Sequence, residues 1–166
     1  MAKPLPSQAR LKELLDYDPQ AGVLVWKINR RGLVAGQLAG VSNTRTKYLV
    51  VGVDYESYVA HRIIWMWMTG EDPGDLEVDH IDHDRLNNRW TNLRLATVNQ
   101  NRSNVAARNK TGLPKGVFPN GQRSFMARIR KDGEVYYLGS FETAEEAHQA
   151  YCEASEALHG NFACIT

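Results

Sequence analysis

Between Asn104 and Lys115 the chain runs through Arg108, Asn109, Lys110, Thr111, Gly112 and Pro114. Basic and turn-forming residues crowded together in this way offer neither a helical apolar stripe nor strand alternation, so the segment reads as a linker. No single hydrophobic core is expected to pass through it. It divides a chain of 166 residues into a longer front part and a shorter back part, and a unit of about 50 to 60 residues only just supports its own core. The expected organisation is α+β throughout: an N-terminal α+β element over 1–57, a middle unit over 58–109 and a third unit over 110–166.

Net charge is +1, but its distribution is uneven: no Asp or Glu occurs between Asp84 and Asp132. Those 47 residues carry eleven cations, Arg85, Arg89, Arg94, Arg102, Arg108, Lys110, Lys115, Arg123, Arg128, Arg130 and Lys131. A run of this length without one acid makes a positive face able to displace counterions from a polyanion, which points to nucleic acid rather than to a merely solvated surface. Other classes are disfavoured. No apolar run approaches the roughly 18 residues that span a bilayer, and Met1 to Arg10 lacks the apolar stretch of a secretion signal, so a soluble intracellular protein is expected. The two cysteines, Cys152 and Cys164, form no C-x-x-C pair and no zinc-closing set with histidine, so neither disulfides nor zinc are expected to hold the fold.

Along the chain, Leu11, Leu14 and Leu15 share a helical face that ends in the turn chemistry of Asp18 to Gly22. Val23–Trp26 and Tyr48–Val53 read as strands joined by a Gly-rich basic connection from Arg30 to Lys47. Tyr58 to Thr69 reads as a helix stopped by Gly70, with His61 on its first turn as a structural residue. Leu76–Ile81 reads as a strand, Asp82 to Asn92 as a polar loop, and Leu93–Ala96 as a second strand. Thr97-x-x-Gln100 resembles a capping box opening a helix near Val98. Beyond the linker, Val117-Phe118, Phe125–Ile129 and Val135–Leu138 read as three strands of an antiparallel meander. Thr143-Ala144-Glu145-Glu146 caps a final helix with the stripe Ala147, Ala150, Tyr151, Ala154, Ala157 and Leu158, closed by Gly160. An alanine-rich stripe lets that helix lie close on the sheet, leaving the sheet's basic face for a ligand.

The chemistry concentrates between the two middle strands. Phosphodiester hydrolysis needs a base for water, a hard cation for the developing charge, and hard ligands for that cation. His80 suits the first task; Asp79 and Asn101 suit the last, because a carboxylate and an amide oxygen completed by water and phosphate oxygens match Mg2+, with Mn2+ as an alternative. Taken singly these residues decide nothing. Strand alternation also sends Asp79 and His80 to opposite faces, so the strand must bend or end there for both to serve one phosphate.

The segment VDHIDHDRLNNRWTNLRLATVNQN, Val78 to Asn101, closely resembles the HNH, or ββα-metal, nuclease motif of phage and homing endonucleases. The resemblance implies Asp79 as metal ligand, His80 as general base, Asn92 as the brace of the loop that aims the histidine, and Asn101 as the helical metal ligand, with Asn99 or Asn104 as fallbacks. Asn at the third position, where many relatives have His, suits the single-metal phage subgroup. His83, where most relatives have Gly, ranks below His80 as a base. Asn87 and Asn88 are expected to hold loop backbone, and Arg85, Arg89, Arg94 and Arg102 to contact phosphate. Leu14 to Trp26 and Ala60 to Arg62 weakly resemble the usual preface of phage HNH proteins.

Gly116 to Gly160 resembles the Apetala or ethylene-response-factor DNA-binding domain, most specifically over Tyr137 to Ala147. In that family the three-stranded sheet enters the major groove. Carried over, Arg128, Arg130 and Tyr137 face DNA, while Val135 stands where the plant proteins have an arginine, so their target sequence does not transfer. Arg123 and Lys131 are phosphate contacts, and Tyr136 is strand packing. The expectation is a homing-type or phage endonuclease acting on double-stranded DNA inside an infected bacterial host. Its rivals are a non-enzymatic DNA-binding regulator with a relic nuclease unit and an RNA-cutting or non-specific nuclease.

Overall fold

A computed structural model describes residues 3–29, 32–103 and 112–163. The chain divides into two compact units, 1–97 and 98–166. Arg30 and Arg31, and Asn104 to Thr111 with Arg108 and Lys110 of the expected linker, lie outside the described residues. The division falls ahead of that linker, so the short helix Val98–Ser103 groups with the second unit and not with the middle one.

In the first unit, Ser7 accepts a hydrogen bond from Arg10 N at 3.2 Å and opens helix α1, Gln8–Leu14. Leu15 does not continue the helix. Leu15 and Tyr17 are buried while Asp16 and Asp18 are exposed, a two-residue period that makes Leu15–Asp18 strand β1. It pairs antiparallel with β2, Val23–Trp26, in the register Leu15↔Trp26 to Asp18↔Val23. The Asp18 carboxylate accepts from Gln20 N and Ala21 N at 2.8 and 3.0 Å, and Gly22 closes the turn at φ 74°.

Strands β3 (Val41–Ser42), β4 (Leu49–Val53) and β5 (Glu56–Val59) form an antiparallel sheet in that order. Tyr58 and Val59, expected as the start of a helix, pair with Val51 and Val50, so α2 begins at Ala60 and runs to Thr69. Gly70 caps it at φ 79° with its N–H on Met66 O. Ile63 and Ile64 of α2 are fully buried with Leu11, Leu14, Leu15, Leu24, Val51 and Val53, each contributing about 1.5 to 3 kcal/mol. Val78 and Leu93 belong to the same cluster. One core therefore joins the expected N-terminal element to the strands of the middle unit. Those strands, β6 (Glu77–His80) and β7 (Leu93–Ala96), pair antiparallel, with Asp79 opposite Arg94 and His80 opposite Leu93.

The second unit holds α3, Val98–Ser103, then the meander β8 (Val117–Asn120), β9 (Ser124–Lys131) and β10 (Glu134–Phe141). Helix α4, Ala144–His159, opens with a full capping box between Thr143 and Glu146 and ends at Gly160. Its buried side is Ala147, Tyr151 and Ser155, with Ala150 partly buried; Ala157, expected on the stripe, is exposed, and the small Ser155 faces inward instead. Gly116 sits at φ 81° where a Cβ would come within 1.9 Å of the Tyr151 ring, so the strand entrance passes directly under α4. No helix among the described residues is long and apolar enough to cross a membrane.

Candidate active site

The last two residues of β6 are both buried, Asp79 at 7 % and His80 at 4 % exposure. They engage different partners, as alternation requires. Asp79 Oδ2 accepts from Arg94 Nε at 3.0 Å, and Arg94 Nη2 lies 2.9 Å from the same oxygen as a charge contact rather than an aligned hydrogen bond. Arg94, expected at DNA phosphate, is thus directed at the candidate metal ligand. The strand ends at His80, and a turn follows in which His83 N donates to His80 O at 3.1 Å.

The His80 ring sits in an aromatic box. His61 of α2 meets it nearly perpendicular, centroids 5.1 Å apart, and Tyr48 lies 4.9 Å from His61 and 6.0 Å from His80. Arg85 covers Tyr48 at 4.8 Å and donates to Thr46 O at 2.8 Å. Burial, with the neighbouring His80 and Arg62, pushes His61 down to about 3, so it is neutral, and its buried Nδ1 has no hydrogen-bond partner among the described residues. Burial also lowers the His80 pKa, opposed by its bond to Asn88 and by the charges of Asp79, Asp82 and Asp84. A lowered pKa favours the neutral imidazole, the form that can accept a proton.

The loop after β6 is tied from inside. Asn92 Nδ2 donates to Asp82 Oδ1 and to Asn87 O, both at 2.8 Å, while its Oδ1 accepts from Asp82 N at 3.1 Å. Asn87 Nδ2 adds a bond to Asp82 Oδ2 at 2.5 Å. Burial alone would raise the Asp82 pKa, yet the bonds from Asn87 and Asn92, the Asp84 N–H and the His80 charge together lower it. Asn88, expected to hold backbone, is 1 % exposed and places its Oδ1 3.2 Å from His80 Nε2. Sequence reasoning missed this contact and Tyr48; neither carries a signal before the fold brings separate elements together. His83 is exposed at φ 67°, a left-handed conformation that glycine adopts without strain.

Arg89 is exposed but spans from Gln20 O at 2.8 Å to Asn87 Oδ1 at 3.3 Å, bracing the loop. Asn101 is half-buried and Arg102 exposed on α3, in the second unit; on the same helix Asn99 bonds Asp132 at 3.3 Å. On the C-terminal sheet, Ala127 and Ile129 face α4 while Arg128 and Arg130 are exposed. Tyr137 lies opposite Arg128 at 61 % exposure, its hydroxyl 2.6 Å from Ser140 Oγ, and Arg128 covers Phe118 at 4.1 Å. Arg123 is exposed in the β8–β9 turn and Lys131 half-buried at the end of β9. Tyr136, expected to be packed, is 48 % exposed.

Residues 58–103 match the family model described as HNH endonuclease. The match begins at the end of β5 and takes in α2, the β6–β7 pair and α3, so the Asp79, His80 and Asn92 cluster lies within the segment that matches the HNH endonuclease model. The chain is also 37% identical over 114 residues to an uncharacterized HNH endonuclease of Acanthamoeba polyphaga mimivirus. That alignment covers 68% of this chain, and the chain spans 59% of the mimivirus protein's length. Among solved structures, the HNH homing endonuclease I-HmuI, studied for DNA binding and cleavage, is similar with a TM-score of 0.42 and 18% identity, covering 85% of this chain and 76% of that one.

Proposed function

We propose that the chain is a DNA endonuclease in which His80 is the general base, Asp79 and Asn101 hold one divalent cation, and the C-terminal sheet binds duplex DNA. The observation that carries this reading is a buried histidine boxed by aromatic rings, next in sequence to a buried carboxylate at a strand end inside the HNH match. The donor chemistry fits a hard cation: one carboxylate and an amide oxygen leave most positions to water and phosphate, the preference of Mg2+ and, secondarily, Mn2+. Among the described residues no three His, Cys, Asp or Glu side chains converge on a ready-made metal cage. The bound cation supplies charge stabilisation at the phosphate and the departing oxygen. His80 takes a proton from water, the water oxygen bonds to phosphorus, and the P–O3′ bond breaks with O3′ taking a proton from solvent, giving 5′-phosphate and 3′-hydroxyl ends. Arg94 balances the Asp79 charge and steadies the carboxylate.

The second unit reads as an Apetala or ethylene-response-factor-type binding domain. Its inner sheet face is covered by α4, whereas Phe118, Arg128, Arg130 and Tyr137 present cations and aromatic rings outward. The metal assignment is tested by titrating Mg2+ into cleavage reactions of wild type, Asp79→Ala and Asn101→Ala. Each variant is expected to need more Mg2+, since each loses one of very few protein ligands; cutting by wild type in excess chelator contradicts the assignment.

A further inference from the structure

We infer that Asn88 is a positioning residue that fixes the His80 ring with its proton on Nε2, making Nδ1 the basic nitrogen, and that the β1–β2 hairpin holds Asn88 in place for this task. The inference rests on the reading of His80 as the general base. The two ends of the Asn88 amide are distinguished by their neighbours: Nδ2 donates to Leu86 O at 3.2 Å, which turns Oδ1 toward His80 Nε2, also at 3.2 Å. The reversed amide would set oxygen against the Leu86 carbonyl. Oδ1 only accepts, so Nε2 donates. A neutral imidazole carries one ring proton, and with it on Nε2 the basic nitrogen is Nδ1.

Asn88 is itself anchored from outside the HNH match. Tyr17 of β1 donates from its hydroxyl to Asn88 O at 2.7 Å in a buried contact. Trp90 N donates to Pro19 O at 3.1 Å and Arg89 Nε to Gln20 O at 2.8 Å, both on the β1–β2 turn. Gly22 makes the approach close: a Cβ there would lie 2.5 Å from Arg89 N and 2.7 Å from the Asn88 carbonyl carbon. The hairpin over 15–26 thus seats the residue that sets the base, although the family match starts only at 58.

Ring-nitrogen NMR of the full-length protein labelled with 15N-histidine reads the tautomer directly, with His80 assigned by the signal lost in His80→Gln. Wild type is expected to show the proton on Nε2. Asn88→Ala should shift the population toward Nδ1–H and lower the single-turnover cleavage rate between about ten- and a hundredfold with KM little changed. Tyr17→Phe leaves every Asn88 side-chain atom in place and should give a smaller shift in the same direction, which keeps the test open if Asn88→Ala does not fold. A wild-type proton on Nδ1, or an unchanged tautomer in both Asn88→Ala and Tyr17→Phe, overturns the inference. If the tautomer behaves as expected but His80→Ala cuts at the wild-type rate, the general-base reading fails and the assignment of Asn88 stands.

Discussion

Burying His61 with no hydrogen-bond partner for Nδ1 among the described residues sets a pH dependence that belongs to this one ring. Its folded pKa of about 3 lies below the ordinary 6.5, so between those values the unfolded chain binds more protons than the folded one. Stability therefore falls as pH drops through that window and is fully present above it. His80, lowered for the same reason, adds in the same direction. The loss is on the order of 3 kcal/mol near pH 4.5. Urea denaturation from pH 7 to 4 should show this slope, and His61→Phe, which keeps a ring between Tyr48 and His80, should flatten it; equal slopes in both proteins contradict the account. At the same scale, Asp79, His80 and Asn92 could be named as candidates because the motif fixes their order along the chain. Asn88 and Tyr48 were not, because a ring box and a side-chain acceptor arise only when β4, α2 and the loop before β7 meet.

Elements with an unambiguous period were legible: β2 and β7 fall on the expected residues, and α4 starts at its capping box and stops at Gly160. Replacing the Thr143 cap by Ala should cost about 1 kcal/mol of stability in the second unit, measured as a drop in its unfolding midpoint. Strand β1 was not legible, because Leu11, Leu14 and Leu15 satisfy a helical spacing while Leu15 and Tyr17 satisfy strand alternation, and only pairing with β2 decides between them. The start of α2 moved for the same reason, since Tyr58 and Val59 gain partners in β4. The hairpin that replaces the expected helix end offers a sharp comparison. Gly22 and Gly121 share φ 74°, but a Cβ meets loop backbone only at Gly22 and nothing within 4 Å at Gly121. Both Ala variants should lose about 1 to 2 kcal/mol to backbone strain. Gly22→Ala alone should lose more and slow DNA cleavage; equal effects at the two sites would mean the hairpin does not seat the loop.

For the whole molecule, the chain forms two compact units, 1–97 and 98–166, whereas the sequence suggests three, over 1–57, 58–109 and 110–166. Apolar residues of α1, β1 and β2 complete the core beneath β6 and β7, so the front part is one body whose joint core no linker composition could announce. Under the proposed division of labour the full chain's affinity for duplex DNA should fall by roughly 0.9 log units per decade of salt for each phosphate contact. Arg123→Ala should weaken all sequences alike and Arg128→Ala or Arg130→Ala should relax preference at particular base pairs, as a binding assay across a library of duplexes would resolve. The most direct test of the central claim is the single-turnover rate of Mg2+-dependent duplex cleavage by wild type and His80→Ala, with DNA affinity measured on the same samples. The account predicts a rate lower by roughly two to four decades at nearly unchanged affinity. Cleavage by His80→Ala at the wild-type rate would contradict it.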